Sequence, residues 1–173
     1  MLTITGVELR DDVLLIKKYS YFVLSKFVQN SVLKKSNIRI QFVNGRDLKP
    51  KDRKELKEFS AWMFYDGIVN GRKQFTITMD LAIFNKRAKT QIKKLRESLK
   101  NLGHELVHVK QYLNNELFDY RDGVRTRYKN THYINDNSND WSYWDMPWEV
   151  EAYGRMEGLY QMFLKMLKDE KKA

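Results

Sequence analysis

The chain has 173 residues and a formal net charge of +10, and 42% of its residues are hydrophobic and 13% aromatic. This composition predicts a folded globular protein and excludes a disordered chain, and the length fits a single domain over residues 1–173. The lack of cysteine excludes disulfides and thiolate metal sites, and no apolar run approaches the roughly 20 residues of a membrane span.

The first part of the chain predicts a helix followed by a strand. Apolar residues recur at helical spacing between Asp11 and Lys35, which indicates one amphipathic helix packed on a core. Apolar and polar residues alternate over Asn37–Asn44, as in a half-buried strand. The charged stretch from Gly45 to Glu58 contains Pro50 and is typical of a loop, with room for a short helix.

A hairpin and a long helix are predicted next. The segments Ser60–Tyr65 and Gln74–Asp80 flank the dipeptide Asn70-Gly71, which favours a two-residue hairpin turn. From residue 89 to residue 114 an apolar stripe at helical spacing then predicts one long amphipathic helix.

Within this helix, residues 104–108 read H-E-L-V-H. Because positions i and i+4 lie one turn apart on the same face, His104 and His108 can both bind one Zn²⁺ at about 2.0–2.1 Å. Glu105 could hold and deprotonate a water molecule, so the motif supplies two metal ligands and a general base. Gly103 suggests that another backbone approaches the helix closely at this point. The alternative interpretation is a pair of solvated histidines on a surface helix.

The last part of the chain predicts a second hairpin and a final helix. Leu117–Tyr120 and Val124–Tyr128 flank an Asp-Gly turn, and His132–Ile134 could extend this hairpin. A polar loop is expected over residues 135–140, and Pro147 is expected to begin a helix that runs to about Lys168. Four aromatic residues before and at the start of this helix could anchor the loop or line a substrate subsite: Trp141, Tyr143, Trp144 and Trp148.

A catalytic zinc site needs a third protein ligand, which the last helix could supply. Glu149 shares the apolar face of that helix, where an unpaired carboxylate would be costly, and we therefore predict it as the third ligand. Glu151 is the alternative ligand, and an interaction with the helix dipole is the alternative role of Glu149. His132 is a further candidate ligand, although a surface position or a hydrogen bond to a substrate oxyanion suits it better.

Together the two motifs resemble the gluzincin metallopeptidases, in which a Glu on a downstream helix completes the H-E-x-x-H zinc site. The short chain and the P-W-E-x-E-A element of residues 147–152 are most similar to the small minigluzincin type, which includes phage and prokaryotic peptidases. The resemblance covers roughly Asn37 to Tyr160. It agrees with zinc ligation by His104, His108 and Glu149, and with Glu105 as base.

The expected fold is α+β and zincin-like, with a small, mostly antiparallel sheet, an N-terminal helix, the H-E-x-x-H helix and a C-terminal glutamate helix. By resemblance, Tyr153 stands where several gluzincin branches have an Asp that orients a ligand His. The sequence therefore does not predict which residues orient the ligand histidines. By resemblance, an extended peptide would bind by strand addition to a sheet edge near Phe75–Asp80. The candidates for stabilising its oxyanion are Tyr153, His132 and Tyr143.

The expected function is therefore that of a zinc metalloendopeptidase that hydrolyses protein or peptide substrates in the cytoplasm, with the bacterial host of a phage as one setting. Basic residues crowd Arg46–Lys57 and Lys86–Lys100, and their charge would attract nucleic acid or an acidic protein, although no nucleic-acid-binding motif accompanies them. Three alternatives stay open: a catalytically inactive zinc-binding scaffold, a nucleic-acid-associated protease, and a helical binding module without metal. No membrane partner is expected, and the oligomeric state is not predicted.

Overall fold

The structure is a computed structural model that describes residues 1–83, 89–134 and 143–172, with the backbone alone for residues 55–59 and 83. The predicted loop over residues 135–140, the aromatic residue Trp141 and the basic residues 86 and 87 lie outside the described residues. None of the described helices combines the length and the apolar character needed to cross a membrane.

Thirteen helices and strands make up the described fold, apart from short 3₁₀ turns. The strands are β1 (Leu2–Thr5), β2 (Ser36–Val43), β3 (Ala61–Val69), β4 (Arg72–Asp80), β5 (Leu117–Asp119), β6 (Arg125–Tyr128) and β7 (Thr131–Ile134). The helices are α1 (Arg10–Ser25), α2 (Asn30–Leu33), α3 (Pro50–Phe59), α4 (Gln91–Lys94), α5 (Arg96–Leu113) and α6 (Pro147–Glu170).

The strands form two sheets, which confirms the α+β class. The larger sheet has the order β1-β2-β4-β3, and the smaller sheet has the order β5-β6-β7. Three of the five pairings between described strands are antiparallel, but β1–β2 and β2–β4 are parallel, so the larger sheet is mixed. The parallel β1–β2 pair arises because α1 forms the crossover between the two strands. The sequence did not predict β1, which is only four residues long.

Both predicted hairpins are present. Asn70 and Gly71 have φ angles of 51° and 71°, as a two-residue turn with two left-handed positions requires. The second hairpin joins β5 to β6, and β7 extends it as predicted. Strand β2 and helix α6 also lie where the residue patterns place them.

Three predicted elements differ from the structure. The first helix ends at Ser25, where the chain turns. Val28 packs into the core beyond this end, so apolar residues continue at helical spacing although the helix has ended. The long helix is interrupted at Leu95, whose backbone leaves the helical region while its side chain stays fully buried. The charged stretch predicted as a loop with room for a short helix is mostly helical, because it contains α3, a ten-residue helix that Pro50 begins.

Helix α5 lies at the centre of the molecule. It packs against α1, α6 and strands β3 and β4, and its side chains are buried nearly all around. Its apolar residues join the same core as Ile16 and Tyr19 of α1 and Phe163 of α6. A helix buried on every side presents its polar residues to other elements rather than to solvent, and His104 and His108 are among them.

Gly103 of α5 has a close neighbour, but the neighbour is a side chain rather than the predicted backbone. A Cβ atom at Gly103 would lie 2.5 Å from the hydroxyl oxygen of Tyr19 on α1. Glycine therefore allows the ring of Tyr19 to fill the space beside the histidine-bearing turn.

Candidate metal centre

The two histidines of the motif converge as their helical spacing predicts. His104 and His108 lie one turn apart on α5, are 5% and 7% exposed, and bring their Nε2 atoms to within 3.1 Å of each other. Their ring planes are nearly perpendicular, with centroids 4.7 Å apart. Two nitrogen donors thus point at one small volume inside the protein.

Glu149 reaches the same volume from the first turn of α6. Pro147 occupies the start of this helix, where its missing N–H costs nothing, and the following turn carries Glu149 toward α5. The carboxylate of Glu149 is 5% exposed, with Oε2 lying 3.3 Å from His104 Nε2 and Oε1 lying 3.4 Å from His108 Nε2. The structure therefore brings together the three residues predicted as metal ligands.

The spacing of these donors fits a small tetrahedral cation. Bonds of 2.0–2.1 Å at the tetrahedral angle place two ligand atoms about 3.3–3.4 Å apart. In the structure the two Nε2 atoms lie 3.1 Å apart, and the nearer Glu149 oxygen lies 3.3 Å from His104 Nε2 and 3.4 Å from His108 Nε2, with a different oxygen facing each imidazole. In addition, His104 Nδ1 is buried without a hydrogen-bond partner among the described residues, and the buried Oε2 of Glu149 faces His104 Nε2. A buried carboxylate is costly in the folded protein unless positive charge compensates it.

Glu105 lies beside the histidines and is buried like them. We refer to His104, Glu105, His108 and Glu149 together as the cluster. Ligand atoms of His104, Glu105 and His108 all lie within 4.8 Å of one another, so this group could hold a metal ion. Burial raises the pKa of Glu105, the two histidines oppose this shift, and the charge of Glu149 adds to it. A carboxyl group with a raised pKa exchanges protons more readily near neutral pH than an ordinary one.

The imidazoles and Glu149 also stabilise each other's charged forms. Burial disfavours the Glu149 carboxylate, but hydrogen bonds and charges from His104 and His108 outweigh it and lower its pKa to about 2. Burial likewise opposes the charged form of His108, yet Glu149, Glu105 and Gln111 together raise its pKa. The carboxylate of Glu149 and the protonated form of His108 therefore favour each other.

Glu151, the alternative third ligand, is occupied elsewhere. Its oxygens accept hydrogen bonds of 2.7–3.0 Å from four side chains: Lys110, Gln111, Tyr128 and Arg155. Burial raises the pKa of Glu151, but these donors outweigh it and lower it to about 2. The geometry thus favours Glu149 over Glu151 as a ligand and makes Glu151 the centre of a second, structural network.

Gln111 connects this network to His108, and the sequence analysis did not identify this residue. Gln111 is fully buried, and its amide nitrogen donates both hydrogens, to Trp148 O and to Glu151 Oε2, each at 3.0 Å. Its Oε1 therefore faces His108 Nδ1 at 2.9 Å and can only accept. His108 must carry its proton on Nδ1, which leaves the Nε2 lone pair free for a cation. The available signal was an amide three residues after His108, within a helix otherwise buried by apolar residues.

The three candidates for stabilising the oxyanion occupy different places. The ring of Tyr153 packs on His104, with centroids 4.2 Å apart. Tyr143 contacts Glu149, and burial, followed by the charge and the hydrogen bond of Glu149, raises the pKa of its hydroxyl. His132 lies on β7, exposed, with Nδ1 3.3 Å from the hydroxyl of Tyr120. The structure therefore brings Tyr143 and Tyr153 to the cluster but not His132.

Two cavities flank the cluster, and Tyr143 lines both. One, of about 300 Å³, lies beside His108 and Glu149. It is also lined by Met63, Tyr112, Leu117, Asp119, Thr126, Met146 and Trp148. The other is a small pocket of about 30 Å³ beside His104 and Glu105, with Ala61 in its wall. Ala61 and Met63 both belong to β3, so this strand borders the cluster.

The predicted substrate edge was wrong. Strand β4, which includes Phe75–Asp80, is paired on both sides, with β2 and with β3, so its backbone has no free edge. The edge strand beside the cluster is β3, the other arm of the same hairpin.

Comparisons of the chain with protein-family models, with curated proteins and with solved structures found no match.

Proposed function

We propose that the protein is a zinc-dependent peptidase in which His104, His108 and Glu149 hold the metal ion. The observation that carries this proposal is the proximity of three buried side chains: the Nε2 atoms of His104 and His108 lie 3.1 Å apart, and each lies 3.3–3.4 Å from one oxygen of the Glu149 carboxylate. Two imidazoles and one carboxylate are a common ligand set of catalytic zinc sites. These three ligands leave the fourth tetrahedral position open for water or substrate.

When bound, the zinc ion would act as a Lewis acid and make water a nucleophile near neutral pH. Glu105 then accepts a proton from the attacking water and delivers it to the leaving amine. Its buried carboxyl suits this exchange, because burial raises its pKa toward the working range of a general base.

Tyr143 is the residue that best suits stabilisation of the oxyanion. Its hydroxyl contacts Glu149 in the free protein, and its ring borders both cavities beside the cluster. Burial keeps this hydroxyl protonated, so it can donate a hydrogen bond to a developing negative charge. Tyr153, stacked on His104, is the second candidate.

A peptide substrate is supported by the position of β3 at the edge of the larger sheet among the described strands. An extended peptide adds readily to an exposed strand, because its backbone pairs with the unpaired N–H and C=O groups. Ala61 and Met63 place this edge beside the cluster, and the cavity next to Met63 can take a side chain of the peptide. An extended peptide on β3 would present a scissile bond to Glu105.

Metal analysis of the purified protein tests the metal part of the proposal. We expect one zinc ion per chain, loss of zinc in Glu149→Ala, and retention of zinc in the matched variant Glu151→Ala. Equal zinc loss in both variants, or zinc retained in Glu149→Ala, would contradict the ligand assignment.

Hydrolysis tests the chemistry. With a mixture of unstructured peptides, the zinc-loaded protein should cleave peptide bonds, and Glu105→Gln should keep zinc but lose cleavage. Zinc binding without cleavage of any peptide would support an inactive metal scaffold instead. Undiminished turnover in Glu105→Gln would remove Glu105 from the mechanism.

A further inference from the structure

The smaller sheet has an exposed side that the proposed peptidase activity does not use. Side chains alternate along its strands, and Leu117, Thr126 and Tyr128 point inward, where they are buried. The side chains on the other side form what we call the outer face: Phe118, Tyr120, Arg125, Arg127, His132 and Ile134. Cross-strand register supports this grouping, because Arg127 pairs with both Phe118 and His132.

Aromatic rings lie together on the outer face. The ring centroid of Tyr120 lies 5.1 Å from that of Phe118 and 5.8 Å from that of His132. Phe118 is 47% exposed, and His132 is exposed as well. Neighbouring aromatic rings that are exposed or half-exposed on one face of a sheet are typical of a surface that contacts another molecule.

Positively charged side chains lie next to these rings. The guanidinium carbon of Arg125 lies 4.9 Å from the Tyr120 ring centroid, and that of Arg127 lies 5.7 Å from the Phe118 ring centroid. Arg121 and Lys129 stand at the two turns of the sheet. Among the described residues only Arg125 of these four is ion-paired, with Asp122. Asp122 lies in the turn between β5 and β6. Asp119, at the end of β5, accepts hydrogen bonds from the hydroxyls of Tyr112 and Thr126 on the inner side.

We propose that the outer face binds a single-stranded nucleic acid, with bases on the rings and phosphates on the cations. Aromatic side chains in a positively charged surface are the means by which proteins bind single strands without sequence preference, since every base has a π face. A duplex keeps its bases stacked inside and would leave the rings unused. An acidic peptide such as poly-glutamate would satisfy the cations but has no aromatic bases to stack on the rings.

This site is separate from the metal centre. The outer face is the reverse side of a sheet whose inner residues Leu117, Asp119 and Thr126 line the cavity beside His108. Binding there needs neither zinc nor Glu105, so its failure and the failure of the peptidase proposal can be told apart.

The test is fluorescence anisotropy with a labelled 12-nucleotide oligo(dT), a 12-base-pair duplex and a poly-glutamate peptide, all in low salt. We expect the single strand to bind more tightly than both other probes. Neutralisation of up to four phosphates predicts a slope of log K against log salt of about −3, because each phosphate contributes about −0.7 for single strands.

Variants identify the surface. Phe118→Ala combined with His132→Ala should weaken oligo(dT) binding about tenfold or more, because two stacking surfaces are lost. Phe64→Ala, which removes another exposed aromatic residue on β3, is the matched control and should bind like the unaltered protein. Arg125→Gln combined with Arg127→Gln should reduce the salt slope by about 1.4. Circular dichroism verifies that each variant is folded.

Three results would overturn the proposal. The first is no binding of oligo(dT) at low salt. The second is equal affinity for oligo(dT), duplex and poly-glutamate, which would indicate attraction of any polyanion to a basic protein. The third is an equal loss of binding in the outer-face variant and in Phe64→Ala.

Discussion

Gln111 Oε1 accepts a hydrogen bond from His108 Nδ1 at 2.9 Å, and this contact leaves His108 Nε2 facing His104 and Glu149. Tyr153 packs its ring on His104, and the support for His108 comes from its own helix.

Removal of this support should weaken metal binding. Gln111→Leu keeps the size of the side chain but removes the acceptor that holds the proton on Nδ1 of His108. We expect zinc affinity to fall by about 10–100-fold, the usual effect of losing a partner of a ligand histidine. Competition with a chromophoric chelator measures the affinity, and Gln161→Leu on the exposed side of α6 is the control. Unchanged affinity would show that Gln111 does not position His108.

Loss of Glu151 should reduce stability rather than metal content. Lys110 is 6% exposed, and in Glu151→Ala it would keep only Glu116 as an anionic partner. We expect the free energy of unfolding to fall by roughly 2–3 kcal/mol, because a buried charge loses part of its compensation. Urea unfolding of the metal-free protein measures the change. A stability equal to that of the unaltered protein would mean that water replaces the Glu151 carboxylate as a partner of the Lys110 ammonium group.

Gly103 and Tyr19 should be energetically coupled. In Gly103→Ala the new Cβ would meet the Tyr19 hydroxyl oxygen at 2.5 Å, so we expect a loss of about 1–3 kcal/mol from overpacking. Tyr19→Phe removes that oxygen, which is buried without a hydrogen-bond partner among the described residues, and the next ring atom lies 3.5 Å away.

The double variant tests this coupling directly. Gly103→Ala in the Tyr19→Phe background should cost far less than in the unaltered protein, so the two effects should not add. Thermal or urea unfolding of the four proteins in the cycle gives the coupling. Additive effects would place the strain of Gly103→Ala somewhere other than at Tyr19.

Removal of the metal should lower the melting temperature. A ligand that binds only the folded state stabilises it by about 2.7 kcal/mol at a concentration one hundred times its dissociation constant. Treatment with a chelator should therefore lower the melting temperature, and added zinc should restore it. His104→Ala should melt at the same temperature with or without chelator, and a chelator effect that persists in this variant would locate the stabilising metal elsewhere.

The proximity of His104 and His108 could be predicted from the sequence, because it depends on local periodicity. Spacing along α5 places the two histidines on one face, and the apolar pattern of α6 places Glu149 on the buried face. Helical phase does not show that α6 meets α5, so the prediction of Glu149 depended on the need of a zinc site for a third ligand, and Glu151 stayed open until the structure was known.

The parts that could not be predicted depend on pairings between distant segments. The Asn-Gly turn predicts a hairpin but does not reveal which arm pairs with β2, and this choice made β3 rather than β4 the free edge. The role of Gln111 likewise depends on the backbone oxygen of Trp148 and on Glu151, which lie far along the chain. The approach of Tyr19 to Gly103 depends on how α1 crosses α5.

The chain between His108 and Glu149 contains the whole of β5, β6 and β7. A cation bound by both ends of this segment would hold these ends together in the folded protein. Because the ion is lost when the chain unfolds, its free energy of binding would add to the stability of the folded state without restricting the unfolded chain. In a protein without cysteine, the ion would therefore fasten the smaller sheet to the core, in addition to any chemistry that it performs.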